Sequence, residues 1–204
     1  MTTTTAKTQT SIDEIAKRTD RLEVDKQYDL NPEDYRELFY NSHECFMAHV
    51  SKDGYPIVSP MWYVVIDDMI HLTTIKDLRR KTAALIANPK MSVVMTNFSL
   101  RAEDVLTALS TQKITTQILG RYVVPFSRID AIMAILIKAK AEISDDRDLR
   151  RQVHEALIGK YYPGESPEQR QQLVTAVDTP NRVIIKVHPE KIMHWDLGKM
   201  FGVH

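Results

Sequence analysis

The residues best suited to chemistry in this chain lie in Thr73-Thr74-Ile75-Lys76-Asp77-Leu78-Arg79-Arg80-Lys81. Two hydroxyls and four cations sit where a β-rich run gives way to helical spacing. Free N–H groups at a helix start attract phosphate, and neighbouring hydroxyls and cations add to that pull. On a helical wheel Lys76, Arg79 and Arg80 share one side, whereas Lys81 falls beside Leu78 and Leu85 at the apolar seam. A cation there needs a partner, because an unpaired buried charge is costly. Two readings fit: a ligand phosphate, or an ordinary solvated basic face with Lys81 snorkelling to water.

A second segment, Ser59-Pro60-Met61-Trp62-Tyr63, carries a proline inside a β-rich run. Proline leaves backbone groups uncommitted to a strand ladder. Such groups can bond the edge of a flat heteroaromatic ring, with an aromatic side chain at its flank. The plainer reading is a core aromatic on a strand. The remaining candidates carry less. The seven histidines show no metal-ligand spacing. His43-Glu44-Cys45 has ligand types, but three adjacent strand residues do not face one ion. Cys45, the single cysteine, lies in an apolar run and reads as a core residue. His194 beside Trp195 is placed to reach a pocket. No nucleophile elbow, P-loop or dinucleotide fingerprint occurs.

The elements that must position these residues follow from turn chemistry and periodicity. Residues 1–10 are polar and Thr-rich and read as a disordered tail. Ser11 and Glu14 fit a capping box for a short helix over 11–19. Asn31-Pro32 starts a helix over 32–40. Runs 45–50, 55–66 and 69–74 are strand-like, joined by a type I′ signal at Asp53-Gly54 and a turn at Asp67-Asp68. Pro56 and Pro60 predict a bulged or edge-like middle strand. Helical spacing over 77–87 stops at Asn88-Pro89, and 91–97 is a fourth strand. A helical turn is expected within 101–109, and a fifth strand over 114–124 with a bulge at Gly120. Ile129, Ile132, Met133, Leu136 and Ile137 mark one further helix; Leu149, Val153, Leu157 and Ile158 mark another. A helix over 167–174 and strands over 183–187 and 191–195 complete the chain. The expected fold is α+β, mainly antiparallel: a six- to seven-stranded split β-barrel with peripheral helices. It forms one domain over 11–204 with a helical insertion around 126–161.

Lys plus Arg and Asp plus Glu balance at 27 each among 204 residues. That balance gives no general case for nucleic acid or an anionic membrane as partner. No run approaches the ~20 apolar residues of a membrane helix, and no signal-peptide pattern opens the chain. A reducing cytoplasm is the expected location.

Between residues 46 and 95 these features occur in a telling order. Asp53-Gly54 ends the first strand, and Pro56, Ser59, Pro60 and Trp62 mark the next. Thr73-Thr74 ends a strand, Lys81 opens a helix, and Asn88-Pro89 leads into the run from Met91 to Met95. The set resembles the flavin-binding split barrels related to pyridoxamine 5′-phosphate oxidase. Gly120, Tyr161-Tyr162, the segment from Arg182 to Ile192 and Trp195-Asp196 resemble it more loosely. The resemblance implies a six-stranded split barrel and a homodimer with two cofactor sites at its interface. It places Ser59, Met61 and Trp62 along the isoalloxazine and Thr73 and Thr74 by the ribityl phosphate. Lys81 would hold that phosphate, with Arg79 or Lys76. The family's usual serine before the lysine is absent, and Arg79-Arg80 stand there instead. FMN is the implied cofactor, but the larger basic cluster also suits a deazaflavin coenzyme with an anionic tail. The implied function is a flavin-dependent oxidoreductase acting on a small organic substrate, with no obligatory acid–base residue assigned. A non-catalytic flavin or haem binder is the second reading, and a cofactor-free interaction module the third.

Overall fold

The computed structural model describes residues 26–76, 80–97, 118–119, 122–123 and 133–201. After a 3₁₀ turn at Lys26–Tyr28 come α1 (Pro32–Asn41), β1 (Cys45–Val50), β2 (Pro56–Met61), β3 (Tyr63–Ile66) and β4 (Met69–Ile75). Next are α2 (Arg80–Ala87), β5 (Lys90–Thr96), and the short pair β6 (Ile118–Leu119) and β7 (Tyr122–Val123). The chain continues through β8 (Met133–Ser144), α3 (Arg147–Tyr161), α4 (Pro167–Val177), β9 (Arg182–Asp196) and α5 (Leu197–Phe201). Helix starts follow their caps. Asn31 accepts from the Asp34 N–H at 2.8 Å ahead of Pro32. Ser166 and Gln169 form a reciprocal capping box for α4.

Seven strands form one antiparallel sheet in the order β2-β1-β5-β8-β9-β4-β3. Its two edge strands, β2 and β3, are consecutive in the chain and separated only by Trp62. The sheet therefore has to curl until its edges meet at that residue, which gives a half-barrel closed at one junction. Met47, Tyr63, Leu72, Val93, Met95, Ile135, Ile137 and Ile185 fill the inside. Leu38 and Phe39 of α1 and Leu85 of α2 pack into the same core.

Four expectations change. The helix read from Ile129 to Ile137 is replaced, from Met133 on, by strand β8; residues 129 and 132 lie outside the described residues. Spacings of three and four at Met133, Leu136 and Ile137 fit a helix. Yet Ile135, Ile137, Ala139, Ala141 and Ile143 also alternate, with Lys138 and Lys140 exposed between them. Pairing on both sides, with β5 and β9, decides for the strand. Among the described residues, the insertion expected around 126–161 thus contains one helix, α3. The two last strands are one, β9, in which Glu190 is the extra residue of a bulge beside Pro189. The type I′ geometry belongs to Asp67-Asp68, whose φ values are 51° and 59°. At Asp53-Gly54 only Gly54 is left-handed, with φ 86°, and the Gly54 N–H bonds Ser51 O at 3.0 Å. That is a three-residue loop with a glycine bulge. Finally, the run 55–66 is two strands rather than one, broken at Trp62. The expected elements at 11–19, 77–79, 101–109 and Gly120 lie outside the described residues; of 114–124 only the β6–β7 hairpin is described.

Candidate functional site

Strand alternation sorts the predicted residues by face. Cys45, Met47 and His49 of β1 are buried on the inner side, in register with Met61, Ser59 and Ile57 of β2. Helix α2 covers this inner side. Its Thr82 hydroxyl reaches Ile75 O at 3.4 Å, which ties the helix to the end of β4. Its Lys81 is half-buried and directs Nζ to Met61 Sδ at 3.2 Å. The two segments singled out by chemistry thus meet, and Lys81 turns inward toward Met61. A thioether is a weak acceptor for that ammonium. Arg80 sits near the β1–β2 turn, where its charge acts on Asp53. Arg79 lies outside the described residues.

His49 was not anticipated. It is 6% exposed, and its Nδ1 has no hydrogen-bond partner among the described residues. Burial, and then the nearby Lys81 charge, lower its pKa and keep the ring neutral. Strand alternation in Cys45-Phe46-Met47-Ala48-His49-Val50 was the available signal, since it sets His49 in the inward row. Cys45 is fully buried, and burial pushes its thiol up to about 12, so it stays protonated at neutral pH.

Trp62 occupies the junction between the two sheet edges and is 44% exposed. Its indole stacks on Tyr161 at 4.5 Å between centroids and 11° between planes, with Tyr162 edge-on at 6.1 Å. The Tyr161 hydroxyl accepts from the Tyr63 N–H at 3.1 Å. Helix α3 therefore clamps the junction through its last residue. One residue earlier, Lys160 places Nζ 3.6 Å from the Tyr63 ring centroid and donates to Tyr40 O at 3.1 Å. Burial lowers its pKa to about 8.

The Thr73–Thr74 pair divides. Thr74 is buried on one face of β4. Thr73 turns the other way, and its hydroxyl lies 3.0 Å from Nε2 of His154 on α3. The fully buried His154 directs Nδ1 to Asp178 Oδ1 at 3.2 Å, and Arg150 Nε donates to the same oxygen at 2.8 Å. With Nδ1 protonated toward Asp178, Nε2 accepts the Thr73 proton. Burial lowers the His154 pKa despite Asp178. Burial raises that of Asp178, but the bonds from Arg150 and His154 outweigh it and hold the carboxyl below its usual range. Lys76 is half-exposed and lies 3.6 Å from Asp145 Oδ2. Met61 and Lys81 are thus brought together, with Ser59 on the same face of β2 and Trp62 next in chain, whereas Thr73 and Lys76 engage other partners.

A separate hollow of about 240 Å³ lies between α1 and strands β4, β8 and β9. Tyr35, Phe39, Ile70, Ile137 and Val187 wall it, and it shares no residue with the Lys81 cluster. On the outer face of β1 and β2, Phe46, Val50 and Val58 are exposed, Val58 by 61%. Among the described residues no group of His, Cys, Asp or Glu is arranged to hold a metal, and no helix is long and apolar enough to cross a membrane.

The family model of pyridoxamine 5′-phosphate oxidase matches residues 32–196, from the start of α1 to the end of β9. The chain belongs to the pyridoxamine 5′-phosphate oxidase family. No curated protein sequence matches it significantly. Solved structures agree with this family fold. The conserved hypothetical protein Rv2991 from Mycobacterium tuberculosis superposes with a TM-score of 0.63 at 18% identity, over 87% of this chain and 91% of its own. An F420 reductase gives 0.50 at 20% identity, over 80% and 98%. The haem storage protein HutZ from Vibrio cholerae gives 0.51 at 17%, over 81% and 94%. At these identities the likeness is one of fold.

Proposed function

We propose that this member of the pyridoxamine 5′-phosphate oxidase family binds a flavin-type cofactor, FMN or a deazaflavin coenzyme. In this reading it works as a homodimer and as an oxidoreductase on a small organic substrate. The observation that carries the reading is the inward Lys81 ammonium at the start of α2, 3.2 Å from Met61, with the buried His49 on the same inner side of the sheet. A cation, a helix start and an orphaned buried nitrogen on one face fit the anionic end of such a cofactor. Family membership and the F420 reductase among the structural relatives support the choice of cofactor class.

The chain's own residues divide the work. Lys81 holds the anionic end, and the α2 N–H groups add partial positive charge. Ser59 and Met61 line the inner side of β2. Among the described residues that strand pairs only with β1, so its other edge keeps backbone groups for the rim of a flat ring. Trp62, braced by Tyr161, flanks the site and limits water. When bound, the flavin supplies the two-electron chemistry, and the protein supplies position and electrostatics.

The exposed apolar residues of β1 and β2 are the natural subunit contact. Sedimentation at micromolar concentration is expected to show a species near twice the 23.5 kDa chain mass. A clean monomer would contradict the dimer. The enzymatic half is tested by supplying FMN with a nicotinamide reductant, or a reduced deazaflavin coenzyme, and following a small organic acceptor. Multiple turnovers are expected; tight binding without turnover would contradict catalysis and leave a carrier.

A further inference from the structure

We propose that the hollow under α1 is a second binding site, shaped for a small zwitterion that carries an aromatic ring, as an aromatic α-amino acid does. This inference is independent of the flavin reading above.

The hollow measures about 240 Å³. A dry cavity of ~150 Å³ already holds a benzene ring, so this one takes a single ring and a short linker. Its floor is apolar: Ile70, Ile137 and Val187 are 3%, 1% and 1% exposed. Their side chains would not replace the hydrogen bonds that a polar ligand body leaves in water. Helix α1 supplies the facing wall. Tyr35 and Phe39, one turn apart, hold their rings 5.7 Å apart and 11° from parallel. Tyr40 stands edge-on to Phe39 at 5.2 Å. An aliphatic floor under an aromatic wall suits a flat apolar ring.

Two opposite charges line the same hollow, arranged about the Tyr40 ring. Arg36 places Cζ 5.8 Å from the centroid of that ring, and the Tyr40 hydroxyl donates to Asp68 Oδ1. Asp68 is held in place by the β3–β4 turn, where its φ is 59°. An anionic ligand meets Asp68 as a like charge, and a cationic one meets Arg36. A ligand with a carboxylate for Arg36 and an ammonium for Asp68 satisfies both. Arg36 and Asp68 are exposed, so water weakens each ion pair. Burial of the ring therefore supplies most of the affinity, and the two charges select the head group.

The test titrates phenylalanine into the wild-type protein and follows the backbone amide signals by NMR. Saturable shifts are expected in α1, the β3–β4 turn and β9, with a Kd on the order of 1 mM. Phenylacetate lacks the ammonium and phenethylamine lacks the carboxylate; each is expected to bind about two- to fivefold more weakly. Alanine, which lacks the ring, is expected to give no saturable shift. Arg36→Gln should abolish the preference for phenylalanine over phenethylamine, and Asp68→Asn the preference over phenylacetate. Asparagine tolerates the left-handed φ of that turn, and both positions are exposed. Should either variant not fold, the wild-type ligand series decides alone. No saturable shift by about 10 mM phenylalanine overturns the inference. So do shifts confined to residues away from the hollow, or equal affinity for phenylalanine and either of its two half-charged analogues.

Discussion

Lys81→Ala is expected to weaken FMN binding at least about tenfold while leaving the protein folded. A charge-assisted hydrogen bond contributes roughly 1.5–3 kcal/mol, and about 1.4 kcal/mol is already a factor of ten. Lys81 is half-buried at the start of α2, outside the buried core cluster, with Nζ 3.2 Å from Met61 Sδ. The loss should therefore appear in affinity and not in the unfolding midpoint. Lys81→Arg keeps the charge and should retain part of the binding, since a wider guanidinium fits the same anion differently. Fluorescence quenching of the flavin on titration reads the affinity, and urea unfolding reads the stability. Unchanged affinity would remove Lys81 from the site.

The second large effect concerns the fold. Asp178→Ala is expected to lower stability by about 2–3 kcal/mol, measured as a fall in urea midpoint. Asp178 Oδ1 accepts from Arg150 and from His154, and the Arg150 and Asp178 side chains are 10% and 14% exposed. Removing the carboxylate strands a guanidinium with little access to water. That costs 3–5 kcal/mol for a fully buried pair and less here, where some solvent reaches both groups. The same cluster fixes the direction of the pH dependence. The His154 pKa is lowered in the folded state, so the unfolded chain takes up its proton first as pH falls below about 6.5. Asp178 is also lowered, so its contribution is present above about pH 3.9 and is lost as pH falls through its folded value. Both act in one direction: acid destabilises. In Asp178→Ala the lower part of that slope should flatten. Equal acid sensitivity in the two proteins would contradict the assignment.

Much of the barrel was legible locally. Asn31-Pro32, Asp67-Asp68 and Asn88-Pro89 are short-range signals, and each marks a real boundary. The β8 strand was not legible, because its apolar residues satisfy two periodicities at once and the decision lies with β5 and β9, distant in sequence. The break at Trp62 is likewise topological. The side-chain pattern runs through it, and only closure of the sheet makes one residue the hinge between two edges.

The site was legible in part for the same reason. Lys81 beside the apolar seam and Met61 on a proline-bearing strand are local readings, and the structure brings them to 3.2 Å. Thr73 and Thr74 belong to one strand, so alternation alone assigns them to opposite faces. The turn of Thr73 toward α3 was therefore implicit, but its partner His154 lies 81 residues away. Strand alternation sets His49 in the inward row but says nothing of what it meets there. What marks it is a missing partner, which is a property of the folded chain.

Adding FMN to ligand-stripped wild-type protein, with flavin absorbance and fluorescence followed to saturation, tests the central claim most directly. A parallel titration with a deazaflavin coenzyme completes the measurement. The account predicts saturable binding of one of the two at one equivalent per chain, with the bound spectrum perturbed. Titration curves that never saturate, for either compound, would contradict it.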